Sequence, residues 1–283
     1  MNNNLLDVTA VICTINQEKT IKQVCQSLKN NMIGEIILVD GGSSDKTIEI
    51  AKKFANQIIK DPGKGLAIAR NIGIANAKKK YILNCGADNV MPDKSVEKML
   101  SVLKKENIMG VGALTRINPN SYLTRAMNNR LEVRFIPGTT NIIGTPNLML
   151  RKRLIDNPYK ENRTWSDDSE LCENWKNIYK KNFELVDVII YEIGQNYNSI
   201  SYRWKHYGIS DYENFSNNIK NWSFVRKLQS LFYPFKVDVI NILFRLNFKK
   251  KIETLPFLLL ITFIRYQSWL GTSIKSFIKK INN

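Results

Sequence analysis

The chain has 283 residues, enough to bury a sizeable core in one large domain or two smaller ones, and 43% hydrophobic with 24% charged residues excludes wholesale disorder. Four scattered cysteines without a CxxC pair, and one histidine, His206, argue against a zinc site, a disulfide framework and a histidine-rich metal centre. The net charge is +17, and residues 220–283 hold twelve Lys or Arg against two Asp or Glu, which points to an anionic partner, either membrane or nucleic acid.

The opening stretch MNNNLLDVTAVICT has neither a basic region nor a long apolar run, so it does not read as a signal peptide and a cytoplasmic location is expected. Short β-rich runs then alternate with helical periods. VTAVIC (8–13), EIILVD (35–40), YILNC (81–85) and IMGVGAL (108–114) predict strands. Ile21, Val24, Cys25 and Leu28 share one helical face, as do Val96, Met99, Leu100 and Leu103. This alternation predicts a mostly parallel sheet flanked by helices, with any ligand at the carboxyl ends of the strands. Thr14, Asn16, Asp40 and Asp88 all fall at such ends.

Residues 116–165 break the alternation: GTTNIIGTPNLMLRKRLID reads as loop, strand and short helix. A helix is expected near 168–181 with Leu171, Trp175 and Ile178 on one face, and FELVDVII (183–190) as a further strand. From about 199 the texture becomes aromatic and basic, then apolar with basic punctuation. Its longest apolar run, Leu255 to Ile264, is about half the ~20 residues a spanning helix needs. Residues 220–283 are therefore expected to lie on a membrane surface, lysines toward headgroups and Phe257, Phe263 and Trp269 inserted; packing as core helices is the alternative.

Four stretches can carry chemistry. In LVDGGSSDKT (38–47), Ser44 or Asp45 can cap the following helix, but capping leaves Asp40 unexplained; ahead of Gly41 and Gly42 it could accept hydrogen bonds from a base or ribose. In GKGLAIARNIGIANA (63–77), Gly65 opens a helix whose N-terminus suits an anion, with Arg70 and Asn71 inside it; Arg70 could meet a phosphate or pair with a carboxylate. Asp88 in YILNCGADNVMP (81–92) suits Mg²⁺ or Mn²⁺ on a diphosphate, or is simply a turn aspartate. In SDDSEL, Asp167 with Glu170 reads as a capping box, leaving Asp168 at the rim; two adjacent carboxylates repel, so one can keep a raised pKa and act as a base.

Taken in order over about residues 8–180, these stretches resemble the family 2 glycosyltransferases, whose fold is GT-A. VICTINQEKT matches the family's opening strand, with Asn16 and Glu18 in its N-x-E positions. LVDGGSSDKT matches the turn that holds the nucleotide base, and GLAIARNIGIANA the A-R-N-x-G helix. GTPNLMLRK, with Asn147, is similar to the loop under the acceptor, and SDDSEL to the catalytic segment. The resemblance implies an α/β GT-A domain over 1–198, with a nucleotide-sugar half to about 115 and an acceptor half over 116–198. A basic, helical, membrane-associating region follows over 199–283. It further implies inverting transfer of a sugar, by default from a uridine diphosphate sugar, to an acceptor hydroxyl; the texture of the tail, not the resemblance, points to a glycan or lipid-linked acceptor. Asp168 would be the base and Asp167 its neighbour; Asp88 would hold Mn²⁺ or Mg²⁺, and Arg70, Arg203 and Lys205 would offset leaving-group charge. Two positions depart from the family: Gly86-Ala87-Asp88 stands for its Asp-x-Asp, and Asp167 for its usual Glu. ISYRW has Ile200 for the glutamine of a processive synthase's Q-x-x-R-W, so Arg203 and Trp204 do not indicate a polymerase. A nucleic-acid-binding protein and a catalytically impaired family member are the alternatives. The first is disfavoured because the tail's basic residues alternate with apolar runs.

Overall fold

A computed structural model of the chain describes residues 5–105, 108–161 and 167–281. The strands are β1 (Leu6–Thr14), β2 (Ile33–Asp40), β3 (Gln57–Lys60), β4 (Tyr81–Gly86), β5 (Asn89–Val90), β6 (Ile108–Ile117), β7 (Gly138–Thr140), β8 (Asn147–Leu150) and β9 (Asn182–Glu192). Helices α1 (Ile21–Asn30), α2 (Thr47–Ala51), α3 (Leu66–Asn76), α4 (Ser95–Leu103), α5 (Tyr122–Arg134), α6 (Arg151–Asp156) and α7 (Asp167–Tyr179) alternate with them. The remainder is α8 (Tyr197–Asn218), α9 (Phe224–Phe235), a π-helical turn (Lys236–Ile240), α10 (Asn241–Leu243) and α11 (Phe248–Ile281). The chain divides into two compact units: residues 1–116 with 135–194, and residues 117–134 with 195–283. The division falls near the expected boundary at 198, and residues 117–134, expected in the acceptor half, group with the second unit.

The first unit is built on one sheet in the order β3-β2-β1-β4-β8-β6-β9-β5, with β7 paired to β9. β3, β2, β1 and β4 are parallel neighbours. β8 runs antiparallel to both β4 and β6, so β6 keeps the direction of β4. The mostly parallel α/β architecture expected from the alternation is present. Period-2 side-chain alternation explains how both faces are covered. Along β1 and β2, Val8, Ala10, Ile12, Ile36 and Leu38 join one core with Val24, Leu28, Val96 and Met99. Val11, Ile37 and Val39 join the other with Ala67, Ile74, Trp175 and Phe183. Helix α3 lies so close to the sheet that a Cβ on Gly73 would sit 2.4 Å from Val11 Cγ1. Leu171 and Trp175 of α7 are buried, whereas Ile178, expected on the same face, is 49% exposed.

The second unit is helical, with α11 packed along α8 and α5. Its centre is a buried charge network. Asp238, in the π-helical turn, accepts from Arg130 and Arg265 at 2.6 Å each, and Arg265 also grips Asp211 at 2.6 and 3.0 Å. Gly208 permits the α8–α11 contact, because a Cβ there would come 2.2 Å from the Arg265 carbonyl oxygen. Phe257 is 1% exposed and meets Trp204 edge-on, and Trp269 packs on Tyr212 and Phe215. Burial of Phe257 corrects the expectation that it faces a membrane; Trp269 is half-buried, and Phe263, 64% exposed, keeps its outward position.

Candidate functional site

The strand register brings the expected residues to one edge. Thr14 pairs with Asp40 and Cys13 with Gly86, so the carboxyl ends of β2, β1 and β4 lie side by side, about 4.8 Å apart per strand. Asn147, first in the antiparallel β8, pairs with Asn84 near the end of β4.

Around Asp40 the chain makes its own turn. The carboxylate accepts from the backbone N–H of Gly42 and Ser43 (3.1 and 3.0 Å) and from the Ser43 hydroxyl (2.5 Å). Gly42 has φ +95°, which favours glycine; Gly41 donates its N–H to the Thr14 carbonyl. Asp40 therefore has a complete local role, and its predicted ligand contact would be additional. Asn16 and Glu18 lace the neighbouring loops together. The Asn16 amide oxygen accepts from Ser44 N–H (2.9 Å), and the Glu18 carboxylate from Lys46 N–H (3.2 Å). The Thr14 hydroxyl is buried and has no hydrogen-bond partner among the described residues.

The Gly86-Ala87-Asp88 turn is held by its own side chains. Asn89 accepts from Gly86 N–H (2.9 Å) and donates to Asp88 Oδ1 (3.2 Å), while the Ala87 carbonyl accepts from Thr20 (2.7 Å). A Cβ on Gly86 would lie 2.7 Å from Asp88 Oδ1 and 2.8 Å from Asn89 Oδ1, so Asn89 fills the space a first aspartate would need. No cluster of three metal-ligating side chains occurs among the described residues. The donor set is thus one carboxylate. That suits a hard cation shared with a substrate diphosphate, the usual habit of Mg²⁺, and not an all-protein cage.

Arg70 and Asp167 form the electrostatic centre. Arg70 sits in the sheet-facing side of α3, opened by Gly65 at φ +116°. Its guanidinium donates to Asp167 (2.5 Å) and to the Thr145 hydroxyl (2.9 Å), and it covers the Tyr159 ring at 5.2 Å. Of the two partners considered for Arg70, the structure has the carboxylate. Asp167 is 3% exposed and serves Arg70; this replaces the capping-box account, and the preceding Thr164–Ser166 lie outside the described residues. Asn71 clamps the Tyr159 segment, donating to its carbonyl (2.8 Å) and accepting from its N–H (3.1 Å).

Asp168 follows at the start of α7, half-buried instead of exposed as expected. One oxygen accepts from Ser169 N–H (3.1 Å), and the other lies 3.3 Å from where a Cβ on Gly144 would be. Loss of hydration raises its pKa above the ordinary aspartate value; Arg70 pulls it down and the Asp167 carboxylate pushes it up. Arg70 and Asp167 also act electrostatically on Cys13 near the end of β1, whose thiol burial pushes up to about 12. Asn147 is 1% exposed; it accepts from Asn84 (3.0 Å), which also donates to the Tyr159 hydroxyl (3.1 Å). Its own amide nitrogen has no hydrogen-bond partner among the described residues.

Arg203, Trp204 and Lys205 belong to the second unit. Trp204, 1% exposed beneath Arg130 and Phe257, is a packing residue, which removes it from the expected ligand set. The other partners of Arg70 are Thr145, inside GTPNLMLRK, and Tyr159, which no sequence pattern marks.

A family model described as "Glycosyl transferase family 2" matches residues 9–157. A cholesterol galactosyltransferase from Borreliella burgdorferi is 29% identical over 107 residues, covering 35% of this chain and 30% of that protein. The chain thus matches about a third of that relative's length. Among solved structures, a mannosyltransferase from Pyrobaculum calidifontis in complex with GDP-mannose and Mn²⁺ aligns with TM-score 0.58 at 14% identity, over 94% of this chain and 83% of that one. Glucosyl-3-phosphoglycerate synthase from Mycobacterium tuberculosis, with Mn²⁺ and UDP, aligns with TM-score 0.52 at 16% identity, over 68% and 74%. At those identities the structural likeness speaks for the fold, which is GT-A.

Proposed function

The chain belongs to glycosyl transferase family 2, and from that premise we propose that it moves a sugar from a nucleoside diphosphate sugar to an acceptor hydroxyl with inversion. The observation that carries this reading is Asp168: a half-buried carboxylate with raised pKa, beside a neutralised Arg70–Asp167 pair, at the strand-end edge of the sheet. Asp168 takes the acceptor proton, and the freed oxygen attacks the anomeric carbon from the face opposite the diphosphate. The carbon–oxygen bond to the diphosphate breaks, and the leaving group departs with the electron pair. Arg70 contributes by fixing the start of α7 through Asp167, because its guanidinium is already engaged there. Thr14, Gly41 and Asp40 line the side where a base and ribose would sit, and the open N-terminus of α3 at Gly65 offers backbone N–H groups to an anion. Asp88 is the residue that would hold a divalent cation, Mn²⁺ or Mg²⁺, which when bound neutralises charge on the departing diphosphate.

The donor base is uridine on the family resemblance, and the GDP-mannose bound by the Pyrobaculum enzyme makes guanosine the competing choice. A lipid-linked or cell-surface glycan is the acceptor class we favour, at the cytoplasmic face of a membrane. The basic, apolar texture of residues 220–283 supports it, as does the Borreliella relative's name, cholesterol galactosyltransferase, which specifies a lipid. Nucleic acid has no part in this reading. A thermal-shift panel of uridine, guanosine and thymidine diphosphates, with and without Mn²⁺, tests it. A shift with one base, larger with the metal, is expected; no shift with any of them refutes it.

A further inference from the structure

Helix α11 is apolar on two opposite faces, and only one of them is covered. At about 100° per residue, Ile252, Leu255, Leu259, Phe263, Leu270 and Ile274 fall within an arc about 100° wide. All six are exposed, Ile252 by 62%, Phe263 by 64% and Ile274 by 58%. The stripe runs about 33 Å at 1.5 Å per residue. Leu258, Ile261 and Ile264 point the opposite way and are buried. Between Ile252 and Ile274 the helix carries only two charged residues, Glu253 and Arg265, and both are turned inward. Glu253 accepts from Arg125 and Asn129, and Arg265 joins the buried network with Asp211 and Asp238. The outward stripe therefore carries no charge along its length. Phe248 and Phe277, 78% and 65% exposed, continue the same arc at either end, and Lys249, Lys275 and Lys279 are exposed near those ends but off the stripe.

We propose that this stripe is the surface by which the protein lies on an anionic lipid bilayer. The helix rests in the plane of the interface with its outward apolar residues among the acyl chains, and the net basic charge of residues 220–283 draws the segment to the anionic headgroups. Among the described residues no helix is long and apolar enough to cross a membrane, so the helix rests on the bilayer and does not span it. The occupant is chosen by charge. Residues 220–283 carry twelve basic against two acidic side chains, which an anionic sheet neutralises. A second copy of this chain would instead bring another +17 against them. The neighbouring segment repeats the pattern: Phe244 and Phe248 are 80% and 78% exposed, and Phe224, Leu228 and Phe232 are exposed on α9. The surface deepens the reading of a membrane-borne acceptor and rests on that reading only for its purpose, since it would bring the transferase to such an acceptor.

The test is flotation of the full chain with phosphatidylcholine vesicles, with and without phosphatidylglycerol, for the wild type and for Phe263→Asp/Ile274→Asp. Both positions are exposed, so the double variant is expected to keep the wild-type melting temperature. The wild type floats with the anionic vesicles; omitting phosphatidylglycerol, or introducing the two aspartates, weakens binding roughly ten-fold or more. Three results overturn the proposal: no wild-type flotation, a variant that floats as well as the wild type, or equal binding to both vesicles. A fourth is a wild-type dimer that the variant converts to monomer in sedimentation, which would assign the stripe to a second copy. Nucleoside diphosphate binding, measured on the same samples, separates the two readings. Its absence with flotation intact removes the transferase reading and leaves the surface.

Discussion

Replacing Arg70 by methionine isolates the ion pair on which the candidate site is built. Arg70 and Asp167 have side chains only 10% and 3% exposed and lie 2.5 Å apart. Removing one partner of a buried pair leaves an uncompensated charge and costs about 3–5 kcal/mol. Thr145 loses its donor as well, so the upper part of that range is expected. Urea unfolding followed by intrinsic fluorescence measures the loss as a fall in midpoint at unchanged slope. The double variant Arg70→Met/Asp167→Leu removes both charges, and apolar replacement of a whole pair is often near neutral. It is expected to be more stable than Arg70→Met alone. Additivity of the two single changes within about 0.5 kcal/mol would refute the pair as a coupled unit. The same change has a second readout. Arg70 is the charge that lowers the Asp168 pKa, so without it that pKa rises further. A base must be deprotonated to act, so the acidic limb of the transfer rate moves to higher pH; an unmoved limb would contradict the coupling of Arg70 to Asp168.

Asp238→Ala takes the carboxylate partner from the buried Arg130 and one of the two from Arg265, which keeps Asp211, and is expected to cost about 3–5 kcal/mol, read as a lower melting temperature. Burial works against ionisation of Asp238, yet the two guanidiniums outweigh it and hold its pKa below the usual value of 3.8. Its stabilisation is therefore complete above about pH 4 and is lost as pH falls through the depressed folded value, which acid unfolding of wild type against Asp238→Asn will register. Gly208→Ala drives a Cβ into the Arg265 carbonyl and should destabilise by about 1–3 kcal/mol; an unchanged melting temperature would contradict the α8–α11 packing. Gly86→Asp restores the family motif in sequence only. Because Asn89 and Asp88 fill that space, it should lower the melting temperature without tightening Mn²⁺ binding in the presence of nucleoside diphosphate, measured by calorimetry.

The sheet was legible because its signals are local. Val8 to Cys13 and Ile36 to Val39 carry the apolar runs, and the helices between them the 3.6-residue period, so strand ends and the residues on them followed directly. Helix α5 was not legible. Asn128, Asn129, Arg125 and Arg130 blur its periodicity, and two of those polar residues are buried because α11 and the π-helical turn supply Thr254 and Asp238 as partners. No local rule announces partners more than a hundred residues away. The same holds at the site: Arg70 and Asp167 are 97 residues apart, so the sequence could name both possible partners of Arg70 but not choose. Asp40 shows the opposite bias. Gly42 and Ser43 carry its turn chemistry in the sequence itself, next to the helix-capping Ser44 and Asp45. In the tail, periodicity told apolar from polar on α11 but not which apolar face was inward, so Phe257 and Phe263 were grouped together.

The most direct measurement is transfer from a labelled nucleotide sugar by the wild type and by Asp168→Asn, with nucleoside diphosphate affinity determined in parallel. If Asp168 is the base, the substitution lowers transfer by roughly 10²–10⁴-fold while affinity stays within a few-fold of wild type. Near-normal turnover by Asp168→Asn would contradict the assignment of Asp168 as the base.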